Sequence, residues 1–182
     1  MNDNIVLWIT GLPGSGKSTI TEALKKKLNN SVVLRVDEIR NFLTHEPTYS
    51  EMERDMVYKA LSYTALKLYE NGHNVIIDAT SNLLKWRDFA RQRIKDFEEI
   101  YIRCPIEICI QREESRQQSY GAPSGIYKKA KMGWPVPGVN VPYEEPIKPL
   151  VIIDSDKTSI EDSVNLIINS IKKLKKGGNK NG

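Results

Sequence analysis

The sequence predicts a three-layer α/β/α domain built on a five-stranded parallel sheet, with a lid region in its later third. Three observations carry this reading. Short apolar runs alternate with longer stretches of helical periodicity, as parallel βαβ units require. Several runs are consecutive β-branched or aliphatic residues, among them VVLRV at 32–36 and NVIID at 74–78, which suits strands buried on both faces. A glycine-rich segment then stands where the first run gives way to the first helix.

In chain order the strands are expected at Ile5–Thr10, Val32–Val36, Asn74–Ala79, Glu99–Arg103 and Leu150–Ile153. Helices are expected at Lys17–Leu28, Glu51–Glu70, Leu84–Asp96, Ile106–Ser115 and Ile160–Leu174. In the second helix Val57, Leu61, Ala65 and Leu68 recur at helical spacing and form one apolar face. In the last, Ile160, Val164, Ile167, Ile171 and Leu174 form a stripe. One domain over 1–176 is expected, with 177–182 a loose polar tail. Residues 113–149 break the alternation, being rich in proline, glycine and charge. A connection of that length inside a compact domain usually serves as a lid or binding loop, and Tyr120, Tyr127, Trp134 and Tyr143 argue that it is ordered.

Composition narrows the class. The chain has 182 residues, 40% hydrophobic and 27% charged, with a net charge of +4, ordinary for a globular domain. No apolar run approaches the roughly 20 residues of a membrane-spanning helix, and MNDNIVLWIT lacks the layout of a signal peptide. Cys104 and Cys109 have neither metal-site nor redox-motif spacing. They read as buried thiols of a cytoplasmic protein. His45 and His73 stand far apart and suggest no metal cluster.

Gly11-Leu12-Pro13-Gly14-Ser15-Gly16-Lys17-Ser18 matches G-x-x-x-x-G-K-[ST], followed by Thr19. Glycines let the backbone curl so that successive N–H groups point at phosphate oxygens, and the helix start adds its partial positive charge. Lys17 is placed to reach the β- and γ-phosphates of ATP, and Ser18 to ligate Mg²⁺. Lying between an expected strand and an expected helix, the segment reads as a P-loop.

Phosphoryl transfer also needs a group to hold the metal and one to orient or deprotonate the acceptor. Asp37 and Asp78 end expected strands, whose ends open onto the crevice where the loop lies. Each also precedes a helical pattern, so an N-cap role stays open for both. Asp37 has the stronger claim as base and metal-linked carboxylate, because Arg40 follows one turn later on the same face. Arg112 and Arg116, after the fourth strand, are candidates to meet the nucleotide's phosphates, with a solvated helix face as the alternative.

These residues resemble the adenylylsulfate kinase family over about 5–172. WITGLPGSGKSTI is similar to the family's P-loop segment, and GIYKKAKMG (125–133) and VPYEEPIKP (141–149) to its lid and following segment. The resemblance implies transfer of the γ-phosphate of ATP to the 3′-hydroxyl of adenosine 5′-phosphosulfate, with Mg²⁺. It implies that Asp37 is the metal-linked base, that Arg40 and Arg54 are acceptor ligands, and that Lys128 and Lys129 approach the acceptor as the lid closes.

Several positions depart from that pattern. The family's Asp-Gly-Asp is Arg35-Val36-Asp37 here, and Tyr49-Ser50 stands where a Phe-Ser pair begins the next helix. Its asparagine three residues after Arg54 is Val57. Its Ser-Phe-Ile-Ser-Pro-Tyr-Arg after the third strand is Asp78-Ala79-Thr80-Ser81-Asn82-Leu83-Leu84, and its adenine-clamping phenylalanine is absent. Tyr49 or Trp134 could stack on a base instead. The span between Arg112 and Gly125 is also longer, adding Arg116 and Tyr120. DATSN at 78–82 resembles polynucleotide-kinase-like P-loop kinases, which makes Asp78 and Asn82 candidate acceptor ligands. The expected partner is a nucleotide-like small molecule. Kinases of another nucleotide, such as cytidine diphosphoramidate, or of a 5′-hydroxyl polynucleotide are the alternatives, and a nucleotide-binding module without turnover is the least favoured. No membrane partner is expected, nucleic acid is the less favoured one, and a homodimer is left open.

Overall fold

The computed structural model describes residues 4–118 and 120–178. Strand β1 (Val6–Thr10) lies at the centre of a parallel sheet, with β2 (Ser31–Arg35), β3 (Asn74–Asp78), β4 (Phe97–Arg103) and β5 (Val151–Asp154) in the order β2-β3-β1-β4-β5. Every strand pair is parallel. The connecting helices are α1 (Lys17–Lys25), α2 (Val36–Leu43), α3 (Glu51–Glu70), α4 (Leu84–Arg91), α5 (Ile106–Ser115), α6 (Ile126–Ala130) and α7 (Ile160–Gly178).

Alternation along the strands divides the core. Val6, Trp8, Val75 and Ile77 face α3 and α4, where Val57, Leu61, Ala65 and Trp86 close the layer. Ile5, Leu7, Ile9 and Ile76 face the other way, against Ile20 and Leu24 of α1 and Val164, Ile167 and Ile171 of α7. Both faces of the sheet are therefore covered, as a parallel sheet demands. A third cluster joins Cys104 and Cys109 to Tyr127, Ala130 and Val136, fastening the lid region to the start of α5.

All five expected strands form, with ends displaced by no more than a few residues. Helices α1 and α4 stop earlier than expected, at Lys25 and Arg91, and α7 continues to Gly178. The segment read as a loose tail thus begins inside a helix, and its last four positions, 179–182, lie outside the described residues. On α7 the stripe holds in the middle only, because Ile160 and Leu174 are exposed. Helices α2 and α6 were not expected. Both cysteines are free and buried, and no helix among the described residues is long and apolar enough to cross a membrane.

A buried ion pair braces the loop that follows β3. Arg87 of α4 is fully buried beside Glu99 of β4, with Nε 3.2 Å from Oε1. Its other nitrogens donate to the Ser81 carbonyl and, at 2.5 Å, to the Glu144 carbonyl. One guanidinium thus pins the loop after β3 to the segment after the lid. Arg87→Ala is expected to lower stability by about 3 kcal/mol, since it leaves Glu99 with Arg91 alone, 3.2 Å from Oε2, and two carbonyls without their donor. Urea denaturation checks this, and a loss below about 1 kcal/mol would contradict the account.

Candidate active site

The C-terminal ends of β1, β2 and β3 open onto a cavity of about 680 Å³, a usual size for a small-molecule site. Its donor side is the loop between β1 and α1. A Cβ at Gly14 would collide with the Cys109 carbonyl, and one at Gly11 with the Ile102 carbonyl, so glycine is required where this loop presses on its neighbours. Gly16 caps α1 at φ 97°, and no side chain caps that helix start. The first N–H groups of α1 are therefore left for a ligand. Ser15 Oγ is buried without a hydrogen-bond partner.

Lys17 is 8% exposed and donates from Nζ to the Leu12 carbonyl at 2.9 Å. Burial depresses its ammonium's pKa, opposed first by the charge of Asp78. These groups fit a bound triphosphate and its Mg²⁺: free N–H groups, an orphan hydroxyl, a buried ammonium, and Ser18 on the same cavity as Asp37 and Asp78. Magnesium takes its remaining ligands from water and phosphate oxygens, so it needs no all-protein cage.

The wall of the cavity opposite that loop is organised by α2. Asp37 stands in its first turn, after the end of β2, and Asp78 is the last residue of β3. Neither aspartate is an N-cap, since Arg35 and Leu83 hold those positions. The anticipated contact between Asp37 and Arg40 forms, with Nη1 3.0 Å from Oδ1. Arg40 Nε then donates to Glu53 Oε1 at 2.9 Å. Although burial opposes its charge, hydrogen bonds from Thr48, Arg40 and Tyr49 hold the Glu53 carboxyl below the ordinary range. Asp37 behaves oppositely: burial pushes its carboxyl up, Arg40 resists, and Asp78 pushes further in the same direction.

Tyr49, at φ 55°, lies under the Arg40 guanidinium at 4.4 Å and meets Trp134 edge to face at 5.2 Å. The edge-to-face contact leaves no slot between the two rings, so a base would meet their cavity-facing sides rather than slide between them. Arg54 donates to Asn82 Oδ1 at 2.8 Å and to the Tyr49 and Pro135 carbonyls, and Asn82 donates to the Pro142 carbonyl at 2.9 Å. Both line the cavity while tying its walls together.

Arg112 of α5 and Arg116, just after that helix, line the cavity, but each is already engaged. Arg112 is held by Ser155, at 3.1 Å to Oγ and 2.9 Å to the carbonyl. Arg116 donates to the Pro123 carbonyl and lies 3.6 Å from Glu113. Lys129 lines the cavity with its ammonium 4.6 Å from the Trp134 ring. Lys128 does not. Its side chain is 73% exposed and 3.6 Å from Glu114, because neighbouring positions on the short α6 point to different sides.

Three residues escaped sequence reasoning. Glu53 completes S-x-x-E with Ser50, a capping-box signal that was readable, and Ser50 Oγ does accept from the Glu53 N–H at 3.3 Å. Arg35 and Tyr120 enter the cavity together, with the guanidinium 4.5 Å above the ring, and no spacing rule announces that contact.

The comparisons with known proteins agree with this geometry. Residues 3–154 match the family described as adenylylsulphate kinase. A probable adenylyl-sulfate kinase of Bacillus subtilis is 36% identical over 174 residues, spanning 91% of this chain and 83% of its own length. The adenylyl-sulfate kinase of Gloeothece citriformis is 33% identical over 176 residues, 93% of this chain and 95% of its own. Among solved structures, the Mycobacterium tuberculosis APS kinase CysC in complex with AMPPNP and APS superposes with a TM-score of 0.76 at 29% identity, covering 93% of this chain and 98% of that one. A chain of the Pnkp1/Rnl/Hen1 complex aligns with 64% of this chain and 42% of its own at a TM-score of 0.52 and 25% identity. With Lys17, Ser18, Asp37 and Arg40 assembled around one cleft, the chain belongs to the adenylylsulphate kinase family.

Proposed function

We propose that this protein transfers the γ-phosphate of ATP to the 3′-hydroxyl of adenosine 5′-phosphosulfate, yielding 3′-phosphoadenosine 5′-phosphosulfate and ADP. The observation that carries this reading is the placement of Lys17 and Asp37 on one cavity, in the first turns of the helices that follow β1 and β2. One holds the leaving side of an in-line displacement and the other the entering side. The acceptor oxygen bonds to the γ-phosphorus, the bond to the β,γ-bridging oxygen breaks, and the hydroxyl proton passes to the Asp37 carboxylate. Mg²⁺ bound at Ser18 would neutralise charge on the phosphates. Arg40, fixed by Glu53, orients Asp37 and meets an acceptor anion. Lys129 and the Tyr49–Trp134 pair close on the acceptor's base side. A single chain supplies these groups, and a homodimer and a cytoplasmic setting remain parts of the reading.

A second acceptor is favoured by the DATSN segment at 78–82 and by the absent clamp phenylalanine: another nucleotide or a 5′-hydroxyl oligonucleotide. ATP consumption against adenosine phosphosulfate, cytidine diphosphate derivatives and such an oligonucleotide separates them. Adenosine phosphosulfate is expected to turn over fastest. Inert adenosine phosphosulfate beside an active alternative overturns the acceptor, and a steep fall with salt on the oligonucleotide marks polymer binding.

A further inference from the structure

We propose that Tyr127 is a positioning residue that ties the phosphate loop to the lid helix, so that filling the donor site shifts Lys129 and Trp134 at the acceptor side. This rests on the kinase reading above and names a link inside that site.

The outer corner of the phosphate loop, Leu12-Pro13, does not stand free. Leu12 packs on the cluster of Cys104, Cys109, Tyr127, Ala130 and Val136, and a Cβ on Gly138 would collide with its Cδ2. Beside it, the Tyr127 hydroxyl donates to the Pro13 carbonyl at 2.7 Å. Tyr127 is 6% exposed, and burial pushes its phenol above the ordinary range, so it stays a donor at neutral pH. The bond has a consequence one peptide plane away. In a trans peptide the C=O and the following N–H point in opposite directions, and no peptide bond among the described residues is cis. Holding the Pro13 carbonyl toward α6 therefore turns the Gly14 N–H away from α6, and Gly14 lines the cavity. Tyr127 thus sets the direction of one N–H of the phosphate cradle without touching nucleotide.

The same helix reaches the other side. Two residues on, the Lys129 ammonium lies 4.6 Å from the Trp134 ring, and the Trp134 backbone N–H donates to the Lys129 carbonyl at 3.1 Å. Trp134 meets Tyr49, which lies under Arg40, the partner of Asp37. Helix α6 has only five residues, and its first N–H donates to Glu113 Oε1 at 3.3 Å. A helix of little more than one turn moves as one body between these contacts. The loop corner is itself bound to change. The Leu12 carbonyl accepts from Lys17 Nζ, and that ammonium leaves for a phosphate oxygen when ATP arrives. The resulting shift at Leu12-Pro13 passes through the Tyr127 hydroxyl to α6.

Titration with a non-hydrolysable ATP analogue and Mg²⁺, read by Trp134 fluorescence, tests this without any acceptor. A Trp134→Phe variant gives the signal of Trp8 and Trp86 to be subtracted. In the parent, saturating analogue is expected to change the Trp134 emission. Tyr127→Phe keeps the ring and removes the hydroxyl, so its melting temperature is expected to stay close to the parent's. It is expected to bind the analogue about two- to tenfold more weakly, the range for one lost hydrogen bond. It is also expected to lose most of the Trp134 response even at saturation. A full response in saturated Tyr127→Phe overturns the proposal, as does a parent that binds the analogue with no Trp134 response. A variant that melts markedly lower would make the hydroxyl a structural prop and overturns it too. A parent that binds no nucleotide would instead overturn the kinase reading.

Discussion

Lys17→Ala is expected to reduce phosphoryl transfer by on the order of 10³-fold, the scale for removing a preorganised charge from a developing anion. The ammonium is buried at the head of α1 and has one protein partner, the Leu12 carbonyl. It is poised to exchange that carbonyl for a phosphate oxygen. Because the contact strengthens as charge develops on the leaving side, kcat and kcat/KM are expected to fall together. The melting temperature is expected to move little, since the methylene stem is small beside the Ile20 and Leu24 contacts that anchor α1. Transfer within tenfold of the parent in a coupled ADP assay would remove Lys17 from the mechanism.

Asp37→Asn is expected to cost about 10²–10⁴-fold in kcat, the range for loss of a general base. Burial pushes the Asp37 carboxyl up, only partly offset by Arg40. The acidic limb of the parent's rate profile should therefore fall above the ordinary aspartate value of about 3.9, and the variant should lack that limb. The same shift fixes the sign for stability. A carboxyl whose folded pKa exceeds its unfolded pKa contributes stability that is fully present below the unfolded value and lost as pH rises through the folded one. At neutral pH the ionised carboxylate thus opposes folding. Asp37→Asn is expected to melt no lower than the parent at pH 7, with its relative advantage shrinking on acidification. A variant that loses activity and also melts markedly lower at pH 7 would recast Asp37 as structural.

The strands were legible because β-branched runs have few alternative uses, and the phosphate loop because its glycines and lysine have a mechanism. Helix α2 was not, and its residues explain why. The side it buries offers Val36 and the guanidinium of Arg40, while Phe42 is 89% exposed and Leu43 43% exposed. Ile39 packs on the core beside Val36, but over eight residues a buried charge and two outward apolar side chains blur the period by which helices are read. Helix α6 is a single short turn and too brief to show a period. At the site, the pairing of Asp37 with Arg40 followed from spacing within one helix. The grip of Glu53 on Arg40 and the ring of Tyr120 on Arg35 link distant segments, which local periodicity cannot report. Lys128 and Lys129 are adjacent in sequence and chemically alike, and only the packing of Trp134 distinguishes them.

The central position of β1 has a consequence for how such an enzyme changes its diet. The phosphate loop leaves the most enclosed strand and is wedged against the Ile102 and Cys109 carbonyls, so nearly any alteration there disturbs the whole domain. In the proposed reading the acceptor's contacts hang instead from the margin at β2, from the loop after β3 and from the span between α5 and β5, where added residues carry little entropic penalty. Donor chemistry is inherited with the scaffold, while recognition of the second substrate can drift or be bred. A library confined to 79–84 and 117–124 is the economical place to seek new acceptors, because it spares Asp78, Arg116 and Tyr127, whose hydroxyl donates to the Pro13 carbonyl of the phosphate loop.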